Sequence, residues 1–250
     1  MAAPDKQDFV YLITGASRSL GLGYARGLLA SSPSTRIIAG ARNPSSAHEL
    51  KALADTHENK GRVYVLKLDV ADEEQVEHAA KEMAESGFLG QGGGLDALVL
   101  NAGTCSYGRL PSETTKEEVL ENLQSNLFGA IHTVSAFLPL LRKGRAKQII
   151  GVSSNCGSIE AFGVNTRITA YAISKVSLNM YLKKLSVELE EEGFTVVMLH
   201  PGYVRTPINN GNGDLSTEEA VELALENVFL TISKKDNGRF VAYDGSQMPW

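Results

Sequence analysis

Apolar residues recur along this chain in short runs, and the stretches between the runs carry them at helical spacing. The runs at residues 9–14, 36–41, 63–68, 95–100, 148–153, 195–199 and 239–243 read as buried strands. Helices are predicted over 21–30, 46–57, 72–86, 122–141, 169–192 and 216–233. Asp72, Glu73 and Glu74 suit the positive end of a helix dipole, and Ser216-x-x-Glu219 has the form of a capping box. Strands separated by helices predict an α/β fold: a doubly wound parallel sheet of about seven strands, with helices on both faces. No linker, repeat or low-complexity block divides residues 1–250, so one domain is expected.

Composition narrows the partners. Hydrophobic content of 43% and charge of 21% suit a globular chain, and a net charge of −5 without a basic run speaks against nucleic acid. Residues 122–141 lack any Asp, Glu, Lys or Arg, but Asn122, Gln124, Asn126, His132 and Pro139 make them too polar to face lipid. A helix buried on more than one side, with no membrane partner, fits better. Residues 1–8 are polar with two acids, unlike a signal or transit peptide, and Cys105 and Cys156 need not pair. A reduced, cytoplasmic setting is therefore expected. The five histidines have no metal-ligand spacing, so no metal is expected.

Candidate chemistry lies in two places. Tyr171-x-x-x-Lys175 puts a phenol and an ammonium on one helix face. A fixed positive charge there is expected to lower the phenol pKa and fit it for general acid–base work. The first strand ends in Thr14-Gly15-Ala16-Ser17-Arg18-Ser19-Leu20-Gly21, a glycine turn opening a helix. Such a turn lets a pyrophosphate approach the backbone at the helix N-terminus.

These motifs, with Asn101-Ala102-Gly103 between them, resemble the short-chain dehydrogenase/reductase family over essentially the whole chain. The resemblance implies a single Rossmann-type domain, a nicotinamide cofactor and hydride transfer at a carbonyl or alcohol. It implies Tyr171 as acid/base, Lys175 as the residue holding the nicotinamide ribose, Ser154 bonding the substrate oxygen, and Asn126 anchoring a proton-relay water. Cofactor contacts are implied at Gly15, Ser17, Arg18, Ser19, Leu20 and Gly21, and at Asp69 and Val70 beside the adenine. Asn101, Ala102 and Gly103 join them, as do Pro201, Gly202, Val204 and Thr206 near the carboxamide. Ser19 stands where the family usually has a glycine. Ser154 and Tyr171 lie 17 positions apart, a longer spacing than in many members, which predicts a loop over the site within 159–169. The ending Gly238-Arg239-Phe240…Asp244-Gly245-Ser246-Gln247-x-Pro249-Trp250 resembles C-factor/sniffer-like carbonyl reductases and, within them, fungal norsolorinic acid ketoreductase-like enzymes, which reduce ketones on aromatic polyketides.

An NAD site places an acid near the end of the second strand. Ala41 stands there, Arg42 follows, and Arg18 matches the basic residue of NADP-preferring members, so NADP(H) is the expected cofactor. The expected substrate is a small carbonyl compound walled by Tyr107, Phe162 and Tyr203. Residues 203–214, rich in Asn and Gly, read as mobile turns closing over it. Apolar residues around both long helices predict a dimer or tetramer. A general carbonyl reductase or alcohol dehydrogenase and a non-catalytic NADP sensor are the competing readings.

Overall fold

Alternation within each apolar run sorts its side chains onto two faces of a sheet. The computed structural model describes residues 8–90, 92–161 and 166–250. Its strands are β1 (Phe9–Ile13), β2 (Thr35–Ala41), β3 (Val63–Lys67), β4 (Ala97–Leu100), β5 (Gln148–Val152), β6 (Thr195–His200) and β7 (Phe240–Ala242). All pair in parallel in the order β3-β2-β1-β4-β5-β6-β7.

Helices α1 (Ser19–Ser31), α2 (His48–Asp55) and α7 (Thr217–Ala224) cover one face, packing Leu28, Leu50 and Val221 on Tyr11, Ile13, Ile37 and Val99. Helices α3 (Glu73–Glu85), α5 (Gly129–Lys143) and α6 (Thr169–Glu188) cover the other, with Met83, Phe137 and Leu182 on Leu12, Ile38, Leu98 and Ile149. Leu12 and Ile13 thus serve opposite cores, as a strand buried on both sides requires. The chain leaves β1 toward β2 and β3, then returns to β4 on its other side. The crevice beyond the C-terminal ends of β1 and β4 is the switch point where ligands bind in such sheets.

Several helix ends differ from the periodic reading. The segment predicted over 122–141 begins earlier, as α4 (Lys116–Leu123), because Thr115 and Glu118 form a reciprocal cap at 3.3 and 3.0 Å. A wide π turn over Gln124–Phe128 joins α4 to α5. Helix α6 stops at Glu188, and Gly193 at φ +83° completes the reversal into β6. Helix α2 is shorter than predicted, flanked by single 3-10 turns at Pro44–Ser46 and His57–Asn59. The Ser216 cap forms as expected, but α7 widens into a π turn over Leu225–Phe229. Among the described residues, no helix is long and apolar enough to cross a membrane.

Beyond β7 the chain folds back. Gln247 bridges Val241 antiparallel, and the Met248 N–H donates to the Phe240 carbonyl at 2.8 Å. This covers part of the edge that β7 would otherwise leave unpaired. The Trp250 ring then packs on Phe240, 5.6 Å between centroids, and its carbonyl accepts the Glu160 N–H at 3.0 Å.

Candidate active site

The C-terminal ends of β1 to β6 build the site. At the end of β1, Gly15 (φ +66°) turns the chain into α1. A Cβ on Gly21 would lie 2.4 Å from the Gly15 carbonyl oxygen, so only glycine fits where the helix meets the turn. Arg18 precedes α1 with no side-chain cap on the helix, which leaves the first N–H groups facing the turn. Ser19 sits at φ +48°, the left-handed region that glycine adopts freely, so the turn keeps the backbone shape of a glycine without having one. Ser17 and Leu20 are half-buried in the same turn. These features match a cradle for a pyrophosphate: backbone donors, a helix N-terminus and a floor that no Cβ can occupy.

The turn is locked to β4 by Thr14. Its Oγ1 accepts the N–H groups of Asn101 (3.0 Å) and Ala102 (2.9 Å). Asn101 Nδ2 donates back to the carbonyls of Thr14 (2.9 Å) and Gly15 (3.2 Å). The Asn101 side-chain amide is thereby committed to the turn. Thr14 as the clamp was missed from sequence, since its partners lie far along the chain.

On the adenosine side, Ala41 is buried at the end of β2 and Arg42 is exposed beside it. Arg18 is exposed as well. Asp69 uses Oδ1 to accept the Ala71 N–H at 3.1 Å, and Val70 packs against Gly129.

The reactive group lies past β5. Ser154 Oγ accepts the Cys156 N–H and donates to Asn155 Oδ1, each at 3.1 Å, and stands close enough to the Tyr171 phenol to favour its ionised form. Lys175 Nζ donates to the Val152 carbonyl at 2.8 Å and stands 5.7 Å from the centre of the Tyr171 ring. Asn126, placed inward by the π turn, donates through Nδ2 to the Thr104 carbonyl (2.8 Å) and Ser174 Oγ (2.9 Å). Its Oδ1 accepts the Thr104 N–H at 2.8 Å. A Cβ on Gly103 would lie 2.9 Å from Asn126 Oδ1 and 3.7 Å from Lys175 Nζ, so this glycine lets the two approach. The four residues singled out from sequence therefore converge.

Their electrostatics differ from the sequence expectation in one respect. Burial, reinforced by Cys156 and Cys105 and opposed by Ser154, pushes the Tyr171 phenol well above its ordinary range. Lys175 is not among the groups that move the phenol, so the lowering expected from its spacing is absent and desolvation of the phenolate sets the shift. The same burial brings Lys175 down to about 8.

Cys105 and Cys156 are free, half-buried thiols near these groups. Burial and the neighbouring Cys156 push Cys105 up to about 11, so it is a neutral apolar wall at neutral pH. Tyr107 feels both Cys105 and Tyr203 electrostatically, and both tyrosines are about half exposed at 49% and 50%. Of the three aromatic residues singled out from sequence, these two lie near each other at the surface, whereas Phe162 lies outside the described residues.

The β6 end supplies the last wall. Pro201 is buried, and a Cβ on Gly202 (φ +92°) would sit 3.0 Å from the Tyr243 ring. The segment 203–214 is not a set of loose turns. Val204 bridges Leu215, Asn209 Oδ1 accepts the Thr206 N–H at 3.1 Å, and Asn209 Nδ2 donates to the Val204 carbonyl at 2.7 Å. His200, passed over in the sequence for want of a metal pattern, accepts the Asn155 N–H on Nδ1 at 3.1 Å. Burial holds it down to about 4 against the pull of Asp244, so its imidazole is neutral at neutral pH.

Comparison with known proteins agrees with this geometry. The family described as short chain dehydrogenase matches residues 10–216. An uncharacterised oxidoreductase of Schizosaccharomyces pombe is 34% identical over 96% of this chain and 98% of its own. The NADPH-bound carbonyl reductase from chicken fatty liver superposes with a TM-score of 0.89 at 30% identity, over 98% of this chain and 100% of that one. The carbonyl reductase Sniffer of D. melanogaster does so with a TM-score of 0.86 at 31% identity, over the same shares. This chain belongs to the short-chain dehydrogenase family.

Proposed function

We propose that the protein is an NADPH-dependent carbonyl reductase that converts a ketone on an apolar, aromatic substrate, such as a polyketide-derived ring system, to a secondary alcohol. The observation that carries this reading is the convergence of Ser154, Tyr171, Lys175 and Asn126 beside the cofactor crevice. NADP(H) fits the residues around it. The Gly15–Gly21 cradle would take the pyrophosphate, Arg18 and Arg42 would supply cations for a 2′-phosphate, and Ala41 offers no carboxylate to repel it. When bound, the cofactor supplies the hydride.

The protein's own groups handle the proton. Ser154 and Tyr171 together hold the ketone oxygen. Burial keeps Tyr171 protonated, the state a proton donor needs at the start of a reduction. As the phenol gives up its proton, the Lys175 ammonium stabilises the phenolate. Asn126 spends its amide hydrogens on Thr104 and Ser174, so it fixes the loop after β4 against α6. A cavity lined by Thr14, Ser125, Asn126 and Thr133 offers polar partners for a water next to it, where the relay begins.

Tyr107 and Tyr203 supply apolar surface to an aromatic substrate, and Ile159, 81% exposed, adds to the rim. The exposed Leu120, Ile173, Met180 and Val187 on α4 and α6 support assembly with a second copy, which light scattering at micromolar concentration tests. The free thiols suit a cytoplasmic setting.

The decisive assay follows NADPH oxidation with aromatic ketones, quinones and simple aldehydes. Tyr171→Phe is expected to bind NADPH as before but to turn over at least ~100-fold more slowly. Turnover within about twofold of the unmutated enzyme would refute the assignment.

A further inference from the structure

His200 ends β6, and its ring sits between the ends of β5 and β7. Parallel pairing continues up to the Ser153 N–H, which donates to the Leu199 carbonyl at 2.7 Å. The next donor from β5 along that ladder is the Asn155 N–H. By then the chain has entered the tight turn Asn155–Gly157, and the imidazole Nδ1 of His200 accepts this N–H instead, at 3.1 Å. The other donors of the turn are taken within it: Cys156 N–H by Ser154 Oγ at 3.1 Å, and Gly157 N–H by the Ser154 carbonyl at 2.9 Å. Tyr243 meets the His200 ring edge-on, with centroids 6.4 Å apart, and the same tyrosine floors Gly202. One half-buried ring therefore joins the serine turn to the segment that begins at Pro201.

We propose that His200 is a positioning residue for carbonyl reduction: its Nδ1 holds the Asn155 N–H and so aims the Ser154 hydroxyl at the substrate oxygen beside Tyr171. This rests on the carbonyl reductase reading above. Ser154 Oγ is bonded on both sides to residues of the turn, so its direction follows the turn, and the turn is tied to the sheet through His200.

Two substitutions separate acceptor from filler. His200→Asn leaves an amide oxygen near the Nδ1 position, whereas His200→Phe keeps a ring and removes the acceptor. His200→Phe is expected to lower kcat for a ketone at least about tenfold, the scale of a small misplacement at the reacting centre, with the NADPH dissociation constant unchanged. His200→Asn is expected to recover most of that loss. A packing role reverses the order, because the ring fills the space better than the amide, and that order overturns the proposal. Equal kcat in all three proteins overturns it too.

Hydrogen exchange at the Asn155 amide reads the bond without turnover. Exchange should be slow in the unmutated protein and in His200→Asn, and fast in His200→Phe. If no carbonyl compound supports NADPH oxidation by the unmutated protein, the reductase reading fails, and with it the role given to His200. The exchange pattern then reports only whether the bond exists. If neither variant folds, the 15N shift of His200 Nδ1 at pH 7 decides: an acceptor-type resonance supports the bond, and a protonated one overturns it.

Discussion

Replacing Thr14 by valine removes one oxygen and adds a methyl of similar size, so it isolates the clamp between the glycine turn and β4. Thr14 is 1% exposed, so bulk water cannot take over its acceptor role. Its Oγ1 accepts two N–H groups, but the losses are unequal. The Asn101 N–H also reaches the Val99 carbonyl at 3.0 Å and keeps that partner. The Ala102 N–H loses the acceptor it has at 2.9 Å. The hydroxyl's own bond to the Val99 carbonyl, at 3.4 Å, is long and adds little. One backbone donor left unsatisfied costs about 1–3 kcal/mol, so Thr14→Val should lose about 2 kcal/mol. Thr14→Ser keeps the acceptor and loses one methyl, a cost of about 1 kcal/mol. Urea denaturation of the protein without cofactor measures both. NADPH titration should show weaker binding in the valine variant, because Asn101 braces the Gly15 carbonyl from the strand end that Thr14 holds. A valine variant as stable as the unmutated protein, or more stable than the serine variant, would refute the clamp.

Three further outcomes are expected. Ser19→Gly should relieve a left-handed residue worth about 1–2 kcal/mol, offset in part by glycine's greater chain entropy, about 0.5–1 kcal/mol. The melting temperature should rise by about 2 °C, read by scanning fluorimetry. Arg42→Ala should weaken NADPH at least about tenfold while leaving NADH nearly unchanged, and Ala41→Asp with Arg42→Ala should reverse the preference by calorimetry. Lys175, held at about 8 in the folded chain against 10.5 ordinarily, binds its proton more weakly than in the unfolded chain. Stability without cofactor should therefore rise between pH 8 and 10, by about 2 kcal/mol from this group, and Lys175→Met should lack that rise. The buried tyrosines act in the opposite sense only above about pH 10, so the window is theirs to spoil only at its upper end.

The sequence by itself determined what depends on neighbours along the chain. Strand positions follow from apolar runs, the Ser216 cap from its spacing to Glu219, and the shared face of Tyr171 and Lys175 from one helical turn. The parallel direction of the strands then follows from the helices between them, which force crossover connections, whereas their order came from the tertiary structure. Tertiary structure decided what depends on residues far apart. Thr14 meets Ala102 across most of the first half of the chain, and His200 meets Asn155 across a whole helix, so no local pattern marks either. The π turn at Asn126 lies where the chain packs on α6, while its composition reads as ordinary helix. The titration of Tyr171 shows the division most directly. Spacing placed an ammonium beside the phenol, but burial by the assembled chain, with Cys156, Cys105 and Tyr107 adding to it, raises the phenol pKa instead. Desolvation is a property of the assembled pocket, and it sets the sign of the shift.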